Sequence, residues 1–331
     1  MAEFSLIERY FSYWPTTRHA DASVARVDLG VGDDCALLSV PDDQQLAISV
    51  DSLNADVHFP ANAKASLIAQ RALAVAISDL AAMGANPLSF TLALSLPEFD
   101  EPWISDFSRG LKQAAESYGV ALMGGDTTRG PLSITVQVHG TVPRGYALRR
   151  SGAQLGDCIY VTGTLGDAAA ALAVMENRLT ATEMADRFFS LRYYQPRARL
   201  EVGESLHDIA TAAIDISDGL AADLAHILAA SKVGAEIHAG LLPLSHALQG
   251  SCSKEQALQF ALAGGDDYEL CFTASPEKRE QLKEIAELID VPITEIGRIV
   301  MAPGLNCLDS KGQPMSLERT GYQHFSDNGS E

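Results

Sequence analysis

The chain has 331 residues, 47% of them apolar, enough for a substantial core and for two domains rather than one. Its 43 acidic against 24 basic residues give a formal net charge of -19. A sequence-independent nucleic-acid binder needs a basic footprint, so that class is excluded. The five cysteines are widely spaced and odd in number, with no C-x-x-C pair. They point to reduced thiols in the cytoplasm and away from a zinc site. The N-terminus "MAEFSLIERYF" lacks a basic region followed by an apolar one, so no export signal is expected. The most apolar stretch, 65–85, is interrupted by Arg71 and Asp79 and is too polar for a membrane span.

In chain order, "GVGDDCALL" (30–38) first sets Asp33 and Asp34 between glycines and an apolar run. "QLAISVDSL" (45–53) reads as a strand. Residues 64–83 read as a helix that stops at Gly84, with Pro87 soon after. "LSFTLALSL" (88–96) is a strand, and 101–119 is a helix again closed by glycine. "VALMGG" (120–125) and "LSITVQVHGTV" (132–142) are further strands. Residues 143–157, rich in Gly, Pro and Arg, form the junction between a domain at 1–150 and one at 151–331. Beyond it, "CIYVTG" is a strand and "TLGDAAAALAVM" begins a helix. "AAIDISDGLAADLAHILAAS" is a strand running into a helix, and "FALAGGDDYELCFTAS" is a turn running into a strand. A charged helix near 277–288 and short strands complete a mixed α/β chain, in which no internal repeat is visible.

Several carboxylates share one setting: the end of an apolar strand, or an apolar helix, beside Gly, Ser or Thr. They are Asp33–Asp34, Asp51, Asp79, Asp126, the Asp215/Asp218 pair and Asp266–Asp267. Most of them also read as ordinary turns or caps. Gly-Asp-Asp is a common turn, and Ser217 is a candidate N-cap with Asp218 in the first helical turn. Ser49 lies on the strand face of Asp51. Gly124 and Gly125 either let backbone approach a ligand or make a turn. Asp79 is different, because it lies mid-helix beyond the reach of a cap. Ile68, Ala72, Val75, Ala76 and Met83 share its side, and Leu73, Ile77 and Leu80 line the other. The carboxylate is therefore expected to be partly buried. That requires a partner such as Arg71, hydrogen bonds, or a metal.

Oxygen donors without organised His or Cys point to a hard cation, Mg²⁺ or Ca²⁺, and there is no EF-hand loop. Mg²⁺ held by a few carboxylates usually bridges to substrate phosphates, which suggests nucleotide chemistry. The usual nucleotide motifs are missing: no G-x-x-x-x-G-K-[ST], no H-R-D or D-F-G, no G-x-G-x-x-G after a strand. Phosphate charge must then be met by metals, backbone N–H groups and arginines such as Arg129, Arg149 and Arg150.

The ordered series G-D-D-C-A, S-V-D-S-L with V-H-F, S-D-L-A-A-M-G-A, G-G-D-T-T-R-G, R-S-G-A, D-I-S-D-G-L, G-G-D-D-Y-E-L and G-Y-Q-H-F resembles the thiamine-monophosphate kinase family, from about residue 4 to 325. The resemblance implies a two-domain aminoimidazole ribonucleotide synthetase-like fold whose N-terminal ATP- and Mg-binding domain pairs across a homodimer. The second domain covers the active-site cleft. It implies direct transfer of the γ-phosphoryl of ATP to thiamine monophosphate, with several Mg²⁺ ions and no nucleic-acid or membrane partner. By the same resemblance, Asp34, Ser49, Val50, Asp51, Asp79, Asp126, Asp215 and Asp218 match metal positions, some through the backbone. Gly125, Asp126, Arg150 and Ser217 match nucleotide positions, and His58, Asp266 and Tyr322 match acceptor positions. The family more often has Glu where this chain has Asp266. Asp33 either supports Asp34 or faces water. Selenophosphate synthetases and hydrogenase-maturation proteins use the same scaffold. They differ by an N-terminal reactive Cys or selenocysteine and a C-terminal Cys; here no cysteine precedes Cys35, and the last residues are "SDNGSE". A noncatalytic nucleotide sensor and a Mg²⁺-dependent phosphohydrolase are the alternatives of other classes.

Overall fold

A computed structural model describes residues 3–12, 24–309, 311–315 and 321. The chain divides into two compact units, residues 1–147 and 148–331. The division falls inside the junction expected from its Gly, Pro and Arg content, slightly before the 150/151 boundary.

Unit 1 runs α1 (Glu3–Phe11), β1 (Arg26–Leu29), β2 (Leu37–Ser39), β3 (Gln44–Asn54), α2 (Ala65–Ala82), β4 (Asn86–Leu96), α3 (Glu101–Tyr118), β5 (Ala121–Arg129) and β6 (Ser133–Pro143). Strands β3 to β6 form one sheet in the order β3-β6-β4-β5. The β4/β5 pair is parallel, bridged by α3, and the other two pairs are antiparallel. Alternation sends Leu53, Leu92, Leu94, Ile134, Val136 and Val138 to one face, where all are buried. Helix α2 covers that face and α3 packs on α2. Lying between a sheet and a helix, α2 is buried nearly all round, which explains its unbroken apolar surface. It is the one described helix long and apolar enough to cross a membrane, and it serves here as a core helix. Burying each of its Leu and Ile side chains stabilises the unit by about 1.5–3 kcal/mol. Gly84 (φ +64°) and Gly119 (φ +66°) end α2 and α3 in left-handed conformations, as expected.

Strand β5 departs from the expected pattern. It does not stop at Gly124–Gly125 but continues through Asp126 to Arg129, paired with β4. A Cβ at Gly125 would lie 1.9 Å from the Leu92 carbonyl oxygen. The glycine is there because neighbouring backbone passes too close for any side chain.

Unit 2 runs β7 (Cys158–Thr162), α4 (Asp167–Met175), α5 (Glu183–Tyr194), α6 (Leu200–Ser205), β8 (Ala210–Asp215), α7 (Leu220–Ser231), β9 (Gly234–His238), α8 (His246–Ser251), α9 (Lys254–Ala263), β10 (Leu270–Ala274), α10 (Arg279–Ile289), β11 (Ile293–Val300) and β12 (Gly304–Leu308). The sheet order is β12-β9-β11-β7-β10-β8, antiparallel except at β12/β9. Its core joins Ile159, Val161, Ile214 and Ile237 of the sheet to Leu220, Leu224 and Ile227 of α7 and Leu262 of α9. A second cluster holds α4 and α5 together around Phe189 and Tyr193. All five cysteines are free thiols.

Candidate active site

In unit 1, the β1–β2 hairpin carries Asp33 and Asp34 in its exposed loop. The Asp34 backbone N–H donates to Asp33 Oδ1 at 2.9 Å. Asp33 therefore helps shape the turn, and both residues are exposed. On β3, alternation turns Ser49 and Asp51 toward the α2 side and Val50, 58% exposed, to the opposite face. The Ser49 hydroxyl donates to Asp79 Oδ2. Burial and the nearby Asp79 charge push the Asp51 carboxyl up to about 6. Asp79 is half-buried on α2, as its helix position requires. His58 sits in the turn after β3, where its Nδ1 accepts the Asn54 N–H at 3.0 Å. The neutral ring therefore carries its proton on Nε2.

Ser49, Asp51 and Asp79 thus come together within one chain. Asp126 does not join them. Strands β3 and β5 are opposite edges of the sheet, with β6 and β4 between. The register Asp126–Ala93–Thr135–Ser52 also puts Asp126 on the face of Ser52, opposite to that of Asp51. Gly125 and Asp126 are both exposed.

In unit 2, two acidic motifs distant in sequence are stitched into one structure. Asp215 (5% exposed) ends β8 opposite Leu270 of β10. Beyond that pair, the Ile216 N–H donates to the Glu269 carbonyl, the Tyr268 N–H to the Ile216 carbonyl and the Asp266 N–H to the Ser217 carbonyl, each at 2.8 Å. Ser217 is not the N-cap of α7, as the sequence had suggested. Gly219 occupies that position, and the cap comes from inside the helix. Asp223 Oδ2 accepts the N–H groups of Ser217, Asp218 and Gly219 at 3.0, 3.0 and 3.1 Å. Burial pushes the Asp223 carboxyl up to about 7, although those N–H donors pull it down. Ser217 and Asp218 are left half-buried on a turn whose backbone is fixed from below.

The turn at 264–269 is anchored similarly. Asp267 (2% exposed) accepts the Gly166 N–H at 3.0 and 2.9 Å through its two oxygens, and burial raises its pKa well above the usual carboxylate range. Glu269 is fully buried and accepts from Arg199 Nε and Nη2 (both 2.6 Å), Arg192 Nη2 (2.8 Å) and Thr162 Oγ1 (2.7 Å). Burial works to raise it, but the hydrogen bonds and charge of Arg199, with Arg192 behind, leave it below its ordinary value. Alternation along "DDYEL" sends Asp267 and Glu269 inward, while Asp266 and Tyr268 are half-buried. Arg150 is exposed. Tyr322 lies outside the described residues.

Sequence reasoning missed Asp223, the Arg192–Arg199–Glu269 group and Tyr268. Only the alternation in "DDYEL" signalled any of them.

The hard-cation expectation can be tested against these groups. Among the described residues no cluster of three or more His, Cys, Asp or Glu side chains is close enough to hold a metal ion. What unit 1 offers is a half-buried pair of repelling carboxylates, with a serine hydroxyl bonded to one of them. This all-oxygen donor set fits Mg²⁺, which keeps waters and takes its remaining ligands from phosphate.

The two units match two known domains. Residues 32–142 match the AIR synthase related protein N-terminal domain, and 154–308 match its C-terminal domain. This defines a two-domain α/β protein of the AIR synthase-related class, with one domain in each unit. Over 324 residues and 98% of both chains, the sequence is 48% identical to the thiamine-monophosphate kinase of Escherichia coli K12. The crystal structure of thiamine-monophosphate kinase from Stenotrophomonas maltophilia K279a is 47% identical, with TM-score 0.85 over 95% of this chain and 98% of that one. The structure described as AaThiL complexed with AMPPCP and TMP is 29% identical, with TM-score 0.76 over 97% of this chain and 95% of that one. The chain belongs to the thiamine-monophosphate kinase family.

Proposed function

We propose that the protein transfers the γ-phosphoryl group of ATP to the phosphate of thiamine monophosphate, giving ADP and thiamine diphosphate. The observation that carries this reading is the half-buried Ser49–Asp51–Asp79 group, a concentration of negative charge that calls for a cation. The full-length likeness to thiamine-monophosphate kinases supports the choice of substrates. One relative in complex with AMPPCP and TMP supports it further.

Both substrates are anions and this chain is acidic, so the site must reverse its local sign. Bound Mg²⁺ neutralises phosphate oxygens and stabilises the charge that develops in transfer. Asp51, Asp79 and Ser49 would hold it, with the Val50 backbone, Asp34, Asp126, Asp215 and Asp218 as further metal positions. Gly125, Asp126, Arg150 and Ser217 would bind ATP. His58, Asp266 and Tyr322 would bind the acceptor. The acceptor phosphate is already ionised, so no side chain has to remove a proton from it. The loose phosphoryl transition state asks the protein for positioning and charge stabilisation. The fixed backbone of 215–219 and 264–269 gives the unit-2 groups that rigidity. In this reading the 1–150 domain binds ATP and metal, and the 151–331 domain covers the cleft.

The protein works in the cytoplasm as a homodimer paired through unit 1. Its free thiols support the compartment. The exposed apolar row Leu46, Ile48 and Val50 on the edge strand β3 supports the pairing.

The deciding experiment mixes purified protein with ATP, Mg²⁺ and thiamine monophosphate and follows thiamine diphosphate. Phosphate release without that product would instead identify a phosphohydrolase. Nucleotide binding without turnover would identify a sensor.

A further inference from the structure

Asp266 and Tyr268 both adopt left-handed backbone, at φ +70° and +50°. A bulky residue such as tyrosine rarely does so, and the conformation persists only where the surroundings over-determine it. Here they do. The Asp266 and Tyr268 N–H groups are each bonded to the 216–217 backbone. Between and after them, Asp267 and Glu269 are locked into buried polar contacts with Gly166, Thr162, Arg192 and Arg199. Each inward residue thus forces its neighbour back to the open side of the turn. The result is a specific side-chain pair, in which the Tyr268 hydroxyl donates to Asp266 Oδ1 at 3.1 Å.

We infer that Tyr268 is a positioning residue for the phosphate acceptor: its hydroxyl fixes the Asp266 carboxylate in the orientation that meets the acceptor's cationic ring. The inference rests on the proposed kinase reading, in which Asp266 contacts thiamine monophosphate. An aspartate has one rotatable bond fewer than a glutamate, so one hydrogen bond to one oxygen suffices to set its plane. The turn meets Ser217, an ATP position in this reading, only through the Asp266 backbone N–H, and the Tyr268–Asp266 side-chain bond does not involve it. Loss of the hydroxyl should therefore register selectively on the acceptor.

Tyr268→Phe keeps the ring and its packing and removes only the donor. Steady-state formation of thiamine diphosphate tests the inference, in wild type, Tyr268→Phe, Asp266→Ala and the double variant. Melting temperatures check that each is folded. Because the lost bond acts on the acceptor only through Asp266, the effect should be that of an ordinary hydrogen bond: KM for thiamine monophosphate should rise about three- to tenfold in Tyr268→Phe, with KM for ATP changing less than about twofold. In the Asp266→Ala background, where the hydroxyl has no side-chain acceptor at that position, the same substitution should add nothing further. Equal effects in both backgrounds, or equal effects on the two substrates, would overturn the inference while leaving the kinase reading intact. So would an unchanged acceptor KM in Tyr268→Phe or in Asp266→Ala. Failure of the wild type to make thiamine diphosphate would overturn both.

Discussion

Asp51 and Asp79 repel one another where β3 meets α2; burial, reinforced by that repulsion, pushes the Asp51 carboxyl up to about 6. Ser49, on the same strand face, donates to Asp79 and leaves Asp51 as the strained member. A divalent cation bound between such groups converts repulsion into attraction. Mg²⁺ should therefore raise the melting temperature of the wild type. Asp51→Asn should melt higher than wild type without Mg²⁺ and respond less to it. Turnover should fall at least about a hundredfold in Asp51→Asn and Asp79→Asn, the scale of losing a main electrostatic stabiliser. Asp34→Ala and Asp126→Ala test the more distant metal positions. Near-normal turnover at saturating Mg²⁺ in all four would sink the metal assignment.

Gly125→Ala should damage unit 1 locally. The added methyl would lie 1.9 Å from the Leu92 carbonyl oxygen, a contact that only movement of β4 or β5 can relieve. Asp126 is the next residue on the displaced strand. We expect a loss of about 1–3 kcal/mol, the usual cost of overpacking, seen as a lower melting temperature. KM for ATP should rise as well. Gly124→Ala is the control, because its nearest foreign atom is 3.9 Å away; it should melt close to wild type.

The sequence made helix α2 legible in full, because its boundaries, its glycine stop and the partial burial of Asp79 all follow from a 3.6-residue period. It also carried the Ser49–Asp51 pairing, because β3 is a regular strand. Other features depended on partners far along the chain. Gly124–Gly125 looked like a turn, since nothing local reveals that the Leu92 carbonyl passes beside Gly125. Ser217 looked like an N-cap until Asp223 folded back over the same N–H groups. The "FALAGG" stretch hid the end of α9, because its short apolar run fits a strand entry as well as a last helical turn. The buried Glu269–Arg192–Arg199 group joins residues about 70 positions apart, beyond any periodicity. Parity across the sheet, which puts Asp126 and Asp51 on opposite faces, needs a register that no single strand contains.

Leu46, Ile48 and Val50 are 40%, 55% and 58% exposed on one face of an edge strand. Ile48→Asp places a charge in the middle of that row and leaves the α2 side of β3 untouched. Analytical ultracentrifugation should find the wild type dimeric and Ile48→Asp shifted to monomer. A variant that stays dimeric at micromolar concentration would remove this surface as the pairing face. The substitution lies outside the buried core, so the unfolding midpoint of the isolated chain should move by less than about 0.5 kcal/mol apart from the lost dimer contribution.

The buried carboxylates of unit 2 should respond oppositely to neutralisation. Asp167, Asp267 and Glu269 are all buried, and the guanidinium groups of Arg192 and Arg199 face them. Three negative charges against two positive ones leave an excess that burial makes costly; burial raises Asp167 and lifts Asp267 well above its ordinary value. A native carboxyl with a raised pKa binds its proton more tightly than the unfolded chain does. Its contribution to stability is fully present below the unfolded value of 3.8 and is lost as pH rises through the higher native value. That contribution should fade on going from acid toward alkaline pH. Asp267→Asn, whose amide oxygen can still accept the Gly166 N–H, should weaken the dependence and be more stable than wild type at the alkaline end. Glu269→Gln should do the reverse. Its native pKa is depressed, so its stabilisation is present above the unfolded value of 4.5 and is lost on acidification. Removing its charge takes the ion-pair partner from Arg199 and leaves Arg192 with Asp167, at a cost of about 3–5 kcal/mol near neutral pH. Urea unfolding of the three proteins from about pH 3 to 8.5 spans both windows and checks both signs. Equal destabilisation by the two substitutions at every pH would show that shape, and not charge, sets the stability of the network.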